Sequence, residues 1–328
     1  MTVTAVQKRV LFIFSFDSSY GLGAIGDLVS LYIFYSQEEF RKISTGLLYL
    51  FMTMFNALHL ATLGIDFLRL SEINLYGNTI LQCGFNLFIQ NVTRAISTYF
   101  AVAIAIDRLI RSELPIQSRF ICTKRNVAIL TVIYVVIFSA IWSFFLYRMS
   151  FYDFTKNQCT SPPEAYSYFS RNIHDTARAI IVCVIPILVI TGANLRLMVN
   201  IRASRRRVHG KIEMTRDAST MYPGVNTGPD GNTGTGRRVT SFDRMILYMM
   251  IANVVTLFVT QTPFHVDQIR SNYVRTVTGF ESRLLRSYLL IWSSLYFGIG
   301  FYVYCLSAPL FRQKSIKILK NLLFQRHE

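Results

Sequence analysis

Seven long apolar segments constrain this chain of 328 residues more than any other feature of its sequence. A helix needs about 20 mostly apolar residues to cross the hydrocarbon core of a bilayer. The segments that reach this length lie at roughly 10–36, 45–69, 80–110, 125–149, 173–201, 242–270 and 284–308. The sequence therefore predicts an all-α membrane protein, a bundle of seven transmembrane helices.

Composition favours a membrane protein over a soluble domain. Hydrophobic residues make up 52% of the chain and charged residues only 16%, whereas a soluble domain carries about a quarter charged residues. The formal net charge is +16, but the basic residues lie between the apolar segments. Lipid headgroups explain that layout better than nucleic acid does, so we expect the lipid bilayer as a partner and no nucleic acid.

The Lys and Arg residues of the loops predict the orientation of the helices. Cytoplasmic loops of membrane proteins are enriched in these residues. With the N-terminus outside, the cytoplasmic side of this chain carries roughly twice as many of them as the outer side. We therefore expect a multi-pass protein of the plasma membrane with an extracellular N-terminus and a cytoplasmic C-terminus.

The chain divides into a transmembrane domain, residues 1–308, and a tail, residues 309–328. Within the first part, the loop 203–240 holds a Gly-, Asn- and Thr-rich stretch. Such a stretch buries too little apolar surface to order itself, so we expect a disordered cytoplasmic loop. In the tail, apolar and basic residues interleave, which predicts a short amphipathic eighth helix along the inner membrane surface.

The third apolar segment carries the most specific motif. Asp107 and Arg108 lie near its end, Pro115 follows Asp107 by eight residues, and Cys83 precedes Asp107 by 24. This pattern resembles the rhodopsin-like (class A) G-protein-coupled receptors, whose third helix begins with a disulfide cysteine and ends in an Asp-Arg-aromatic triplet. Asn56 lies 27 residues before Cys83, where that family places its second-helix aspartate.

The resemblance extends into the later segments. Pro186 and Pro263 match the prolines of the fifth and sixth helices, and Tyr304 matches the seventh-helix tyrosine. Asp243, 20 residues before Pro263, matches an acidic residue that faces the third-helix arginine in many members. The resemblance therefore implies an activation switch made of Asp107, Arg108, Asp243, Tyr304, Pro263 and Pro186.

Two stretches narrow the resemblance further. Residues 40–46 and 106–115, the second followed by residues 121–124, look like invertebrate orphan receptors related to FMRFamide and other neuropeptide receptors. This similarity implies a receptor, not an enzyme, that transduces an extracellular ligand, a neuropeptide, to a heterotrimeric G protein. The transduction would use an outward movement of the sixth span.

The resemblance also implies a disulfide bond between Cys83 and Cys159. Both cysteines fall on the predicted outer side, where the oxidising environment permits such a bond. It would tie the second outer loop over the mouth of the bundle. The other reading of these residues is two free thiols.

Asp27 and Asn56 fall in the middle of predicted spans. A carboxylate inside a membrane is costly and is therefore a functional candidate by default. The resemblance implies a polar hub that holds water or a sodium ion near Asp27 and rearranges on activation. The alternative is a protonated Asp27 that serves packing alone. We expect no other cofactor and no metal site, because the five cysteines form no CxxC pattern.

Five residues are candidates for a ligand pocket: Gln90, Arg94, Arg178, His265 and Gln268. Gln90 stands where amine receptors place an aspartate that binds ammonium, and a neutral amide cannot form that ion pair. Arg94 and Arg178 favour an anionic group on a peptide or on a small ligand. The alternative is that both arginines pair with internal acids such as Asp175.

Two other classes of function stay open. Gln261 stands where the sixth helix of the family usually has tryptophan, and Gly300 and Phe301 replace the Asn-Pro ahead of the tyrosine. A receptor-like protein that no longer signals is therefore one alternative. A transporter is the other, although we find no internal repeat of the kind that many transporters show. Segment 284–308 has no lysine for a retinal Schiff base, which argues against a light-driven pump.

Overall fold

The computed structural model describes the chain apart from residues 1–2, 71–79, 154–157, 160–162, 222–232, 274–279, 308–311, 314–315 and 318–328. Side chains are described for a smaller set, which excludes chiefly residues 3–19, 66–70, 80–83, 204–221, 233–250 and 280–284. All statements below concern the described part of the chain.

Helices account for nearly all of the described backbone. The α-helices are α1 (Val3–Ser36), α2 (Glu38–Lys42), α3 (Ser44–Leu70), α4 (Ile80–Glu113), α5 (Pro115–Ile121), α6 (Lys124–Trp142), α7 (Phe144–Tyr147), α8 (Glu164–Tyr168), α9 (Asp175–Ala179), α10 (Ile185–Met221), α11 (Thr233–Tyr273) and α12 (Phe280–Ser307). A 3-10 turn covers Arg148–Phe151, and π-helical turns cover Phe169–His174 and Ile180–Val184. The strands β1 (Tyr152–Asp153) and β2 (Gln158–Cys159) pair antiparallel.

The long helices close a ring. α1 packs against α3, α3 against α4, α4 against α6 and α10, α10 against α11, α11 against α12, and α12 returns to α1. Five spans in the described part are long and apolar enough to cross a membrane, judged by length and composition: Ser44–Ile65, Gly84–Glu113, Lys124–Trp142, Asp175–Ala203 and Tyr288–Leu306. The helical arrangement therefore follows the apolar segments of the sequence.

The middle of α4 is enclosed by its neighbours. Every residue from 91 to 98 is buried, whereas α6 leaves Val132, Ile133 and Val136 exposed. Exposed aliphatic side chains are favourable when the surrounding solvent is lipid. α4 is thus the central helix, and α6 lies at the edge of the bundle.

The fourth span ends earlier than the predicted 125–149, because α6 stops at Trp142. The Ser143 hydroxyl donates to the carbonyl oxygen of Ala140 at 2.8 Å. The Ser143 backbone N–H bonds to the same carbonyl, three residues back, so the regular α-helical ladder is interrupted there. The chain then continues through the short helix α7 and the 3-10 turn.

The predicted disorder of 203–240 differs from the structure at both ends of that loop. α10 continues to Met221 and α11 begins at Thr233, and the central stretch 222–232 lies outside the described residues. Extending an existing helix needs no new nucleation, and the Arg, Lys and Met residues after position 203 are good helix formers. Of the predicted eighth helix, only 312–313 and 316–317 are described, and they are helical.

Two glycines let α1 and α12 approach closely. A Cβ atom added to Gly298 would lie 2.7 Å from the Cα atom of Gly23, and one added to Gly23 would lie 3.0 Å from the Cα atom of Gly298. Small residues at such contacts allow backbones of membrane helices to pack. The position of α12 in the ring therefore depends on this pair.

We expect Gly298→Ala to lower the melting temperature of the detergent-solubilised protein, because the new methyl group would push two backbones apart. Overpacking of this kind costs about 1–3 kcal/mol. Gly192→Ala is the matched control, since nothing lies within 4 Å of its added Cβ atom. Equal melting temperatures for the two variants would show that α1 and α12 can move apart at little cost in stability.

Candidate functional site

Two buried arginines face one aromatic ring, that of Phe264. Arg94 of α4 is 4% exposed and Arg178 of α9 is 9% exposed. Their guanidinium carbons lie 5.3 Å and 5.8 Å from the ring centroid of Phe264. We call Arg94, Arg178, Phe264 and Ser293 the arginine cluster.

Arg178 has its own acidic partner. Asp175, one helical turn earlier, lies 3.5 Å away as an ion pair. Arg178 also donates to Asn91 Oδ1 at 3.2 Å and to Gln268 Oε1. The structural alternative, in which an internal acid balances the arginine, therefore applies to Arg178. These contacts join α9 to α4 and α11.

Arg94 has only neutral partners in the described part of the chain. Its Nη2 donates to Ser293 Oγ at 3.2 Å, and the rings of Phe264 and Phe297 lie 5.3 Å and 5.7 Å from its guanidinium carbon. Its Nε has no hydrogen-bond partner among the described atoms. Cation–π contacts contribute about 2 kcal/mol when desolvated, but burial of a lone charge costs several kcal/mol. The described contacts of Arg94 therefore include no negatively charged group that balances its guanidinium.

Two side-chain hydrogen bonds, one donated from each helix, join α11 to α12 beside the arginine cluster. Gln261 Nε2 donates to the carbonyl oxygen of Ser293 at 2.6 Å, and Trp292 Nε1 donates to that of Val259 at 2.9 Å. Pro263 has no N–H, so the Val259 carbonyl four residues earlier loses its helical donor. The indole of Trp292 supplies the missing hydrogen bond.

A second polar cluster lies near the C-terminal end of α4. Asp107, 6% exposed, accepts hydrogen bonds from Ser44 Oγ at 3.1 Å and Thr45 Oγ1 at 2.5 Å. Arg111 Nε lies 3.0 Å from the same carboxylate. Asp107 thus attaches α4 to the start of α3, and its pairing with Arg108 stays a prediction.

Cys122, in the turn after α5, belongs to the same cluster. Burial raises the pKa of its thiol to about 11, and the hydrogen bond with the Asp107 carboxylate adds to the effect. The thiol therefore stays protonated at neutral pH. It serves Asp107 as one more hydrogen-bond donor.

Glu113 joins α4 to α10 at the same end. Its Oε1 accepts hydrogen bonds from Arg196 Nε and, at 3.0 Å, from Asn200 Nδ2. The Arg196 side chain is 68% exposed, so solvent screens this pair and its contribution to stability is small. α4 is thus attached to α3 and to α10 around Arg108.

The family described as 7 transmembrane receptor (rhodopsin family) matches residues 26–299. The chain belongs to this family. The predicted all-α seven-helix membrane fold and the resemblance to class A receptors are thereby confirmed. No curated protein matches the chain. As a rhodopsin-family receptor it is a multi-pass protein of the plasma membrane and not an enzyme.

The structure gathers most of the ligand-pocket candidates around the arginine cluster of this receptor. Arg178 binds Gln268, and His265, 3% exposed, packs edge-on against Phe264 at 5.3 Å. Gln90 instead donates to the carbonyl oxygen of Thr62 on α3 at 3.3 Å.

The polar hub is only partly assembled by described contacts. Asp27 is 1% exposed and Asn56 is 5% exposed. Asn56 Oδ1 accepts a hydrogen bond from Ser97, but no described hydrogen bond joins Asp27 to Asn56. One carboxylate oxygen of Asp27 has no described hydrogen-bond partner. This oxygen fits a proton or one cation, and a sodium ion near Asp27 stays a prediction.

The remaining switch residues occupy distinct places. Tyr304 is buried, with its ring 5.3 Å from Tyr49 and 6.3 Å from Phe34, so it joins α12 to α3 and α1. Pro186 follows a π-helical turn, as expected where a missing N–H loosens the helical ladder. The side chains of Asp243, Cys83 and Cys159 lie outside the described residues.

Several residues of the site were not predicted from sequence: Phe264, Ser293, Asn91, Trp292, Glu113, Ser44 and Thr45. Phe264 follows Pro263 directly, and an aromatic residue next to a proline inside a predicted membrane span is a usable signal. Asn91 begins an Asn-Val-Thr glycosylation pattern inside a predicted membrane span, and this pattern gives no signal for its contact with Arg178. A serine such as Ser293 gives no signal, because hydroxyl residues occur throughout the apolar segments.

We expect Trp292→Phe to lower the melting temperature, because it leaves the Val259 carbonyl without a donor. The loss should correspond to about 1–3 kcal/mol. In a Pro263→Ala background the restored N–H can bond to Val259, so the same substitution should cost little there. A double-mutant cycle of melting temperatures measures the difference. Equal losses in both backgrounds would show that the indole does not replace the missing helical donor.

Proposed function

We propose that this receptor binds an extracellular peptide with at least one anionic group, and that the group contacts Arg94. Family membership supports the receptor part of the proposal. The observation that carries the ligand chemistry is the buried Arg94 guanidinium, whose described contacts are a hydroxyl and two aromatic rings. A carboxylate would supply the missing charge and strong, charge-assisted hydrogen bonds.

The proposed orientation places the N-terminus and the arginine cluster on the extracellular side. The excess of Lys and Arg in the opposite loops supports it. A disulfide between Cys83 and Cys159 would close the extracellular loop over the pocket. The contact of β2, which carries Cys159, with α4, which carries Cys83, supports this part of the proposal.

Ser293 offers a route from the ligand to α11. Its hydroxyl accepts from Arg94 and its carbonyl accepts from Gln261. A ligand anion that draws the Arg94 guanidinium away would release the Ser293 hydroxyl. The adjacent residue, Trp292, also bonds to α11. Ligand binding would thus weaken the attachment of α11 to α12 and favour an outward movement of α11.

At the cytoplasmic end, the movement of α11 would expose Arg108 to a heterotrimeric G protein. In this proposal Arg108 is restrained by Asp107, which also binds Ser44, Thr45 and Arg111, and by Asp243 of α11. The sequence position of Asp243 supports this role, since it lies 20 residues before Pro263.

We expect Asp243→Ala to raise agonist-independent G-protein activation. Loss of a charge-assisted contact of about 1.5–3 kcal/mol shifts a two-state population roughly tenfold or more. Asp267→Ala is the matched control on the same helix, because Asp267 pairs with the exposed Arg270 at the other end. Basal activity that stays at the wild-type level, at equal surface expression, would contradict the proposed restraint.

We expect Arg94→Gln to weaken an anionic peptide agonist by tens-fold or more, because loss of a buried charge-assisted contact costs about 2–5 kcal/mol. Removal of the peptide's acidic group should weaken binding to the wild type similarly and hardly affect the variant. Arg270→Gln, an exposed arginine change, controls for loss of general positive charge. If the loss of affinity from Arg94→Gln and the loss from removing the acidic group simply add, Arg94 does not contact that group.

One observation favours a second candidate, a receptor-like protein that no longer signals. Gln261 replaces the usual sixth-helix tryptophan and is tied to the backbone of α12. A screen of peptides for G-protein activation separates the two candidates. If Asp243→Ala also leaves the protein silent, the second candidate is favoured.

A further inference from the structure

We propose that Arg94 also holds a small monovalent anion of halide size as a counter-ion when no agonist is bound. The proposal concerns the same arginine as the proposed ligand contact, but it does not depend on the ligand's identity or on signalling.

The carboxylates described near this end of the bundle are already engaged. Asp175 lies 3.5 Å from Arg178 and 3.8 Å from His174, and Asp267 pairs with Arg270 at 3.3 Å. Arg94 forms no ion pair among the described residues, although its side chain is almost entirely buried. One positive charge of the arginine cluster is thus left without a balancing negative charge.

Two buried nitrogen-bearing side chains beside Phe264 have unused hydrogen-bonding capacity among the described atoms. Arg94 Nε has no hydrogen-bond partner in the described part of the chain, and neither ring nitrogen of His265 has one. The His265 ring lies 5.3 Å from the Phe264 ring, which both guanidinium groups also face. A neutral imidazole carries one N–H, so His265 and Arg94 present at least two buried donors to an anion.

The same environment selects for one negative charge. Arg178 is balanced by Asp175, so sulfate or doubly ionised phosphate would bring a second negative charge without a partner. The rings of Phe264 and Phe297 also border the guanidinium and offer no hydrogen bonds to a strongly hydrated ion. A weakly hydrated monovalent anion such as chloride or bromide meets both conditions.

The test is the melting temperature of the purified full-length receptor without agonist, measured in sodium chloride and in sodium gluconate at equal ionic strength. Gluconate is too bulky for a buried site. Chloride and bromide should raise the melting temperature saturably, by about 2–4 °C at high concentration. Sodium sulfate should not reproduce a saturable rise at low concentration.

Two variants assign the effect to a residue. Arg94→Gln should melt at the same temperature in chloride and gluconate, whereas Arg270→Gln should keep the wild-type dependence. Equal melting of the wild-type protein in both salts would overturn the proposal, as would a chloride dependence that persists in Arg94→Gln. An agonist that depends on Arg94 without any chloride effect would leave the proposed ligand contact intact and reject only the resident anion.

Discussion

Enclosure of α4 by the other helices is the constraint on which the rest of the structure depends. Lipid cannot hydrogen-bond a polar side chain, and a buried helix cannot direct one to water. The polar residues of α4 must therefore bond to neighbouring helices, and each unmet bond would be costly. The polar side chains in its middle reach three different neighbours: Asn91 to Arg178 of α9, Arg94 to Ser293 of α12, and Ser97 to Asn56 of α3.

The fold was largely predictable from the sequence, because hydropathy reports directly on the bilayer. Only continuous helices satisfy the backbone across lipid, so each apolar segment had one reasonable structure. The ends of the helices were harder to predict. α6 stops at Trp142, where the Ser143 backbone N–H bonds three residues back, and α10 extends into a segment that composition assigned to disorder. The end of α6 and the end of α10 both depend on local backbone conformation rather than on hydropathy.

The candidate site was predictable in its residue types but not in its pairing. Spacing places Asp175 one turn before Arg178, so an ion pair there could be foreseen. The partners of Arg94 depend on the rotation of α11 and α12 about their axes, which a single sequence does not record. Ser293 and Phe264 became visible only when the helices were packed. The unequal charge balance of the two arginines, on which both proposals depend, is therefore a structural result.

Gln261, which replaces the usual tryptophan of the sixth helix, adds a hydrogen bond that restrains α11. Gln261 and Val259, both bonded to α12, precede Pro263 and so lie on the cytoplasmic side of the proline in the proposed orientation. That is the part of α11 that the proposed activation moves. Each bond contributes about 0.5–1.5 kcal/mol, so both together oppose the movement until Ser293 shifts. In the proposed activation, the ligand contact through Arg94 and the restraint through Gln261 would therefore meet at Ser293 of α12.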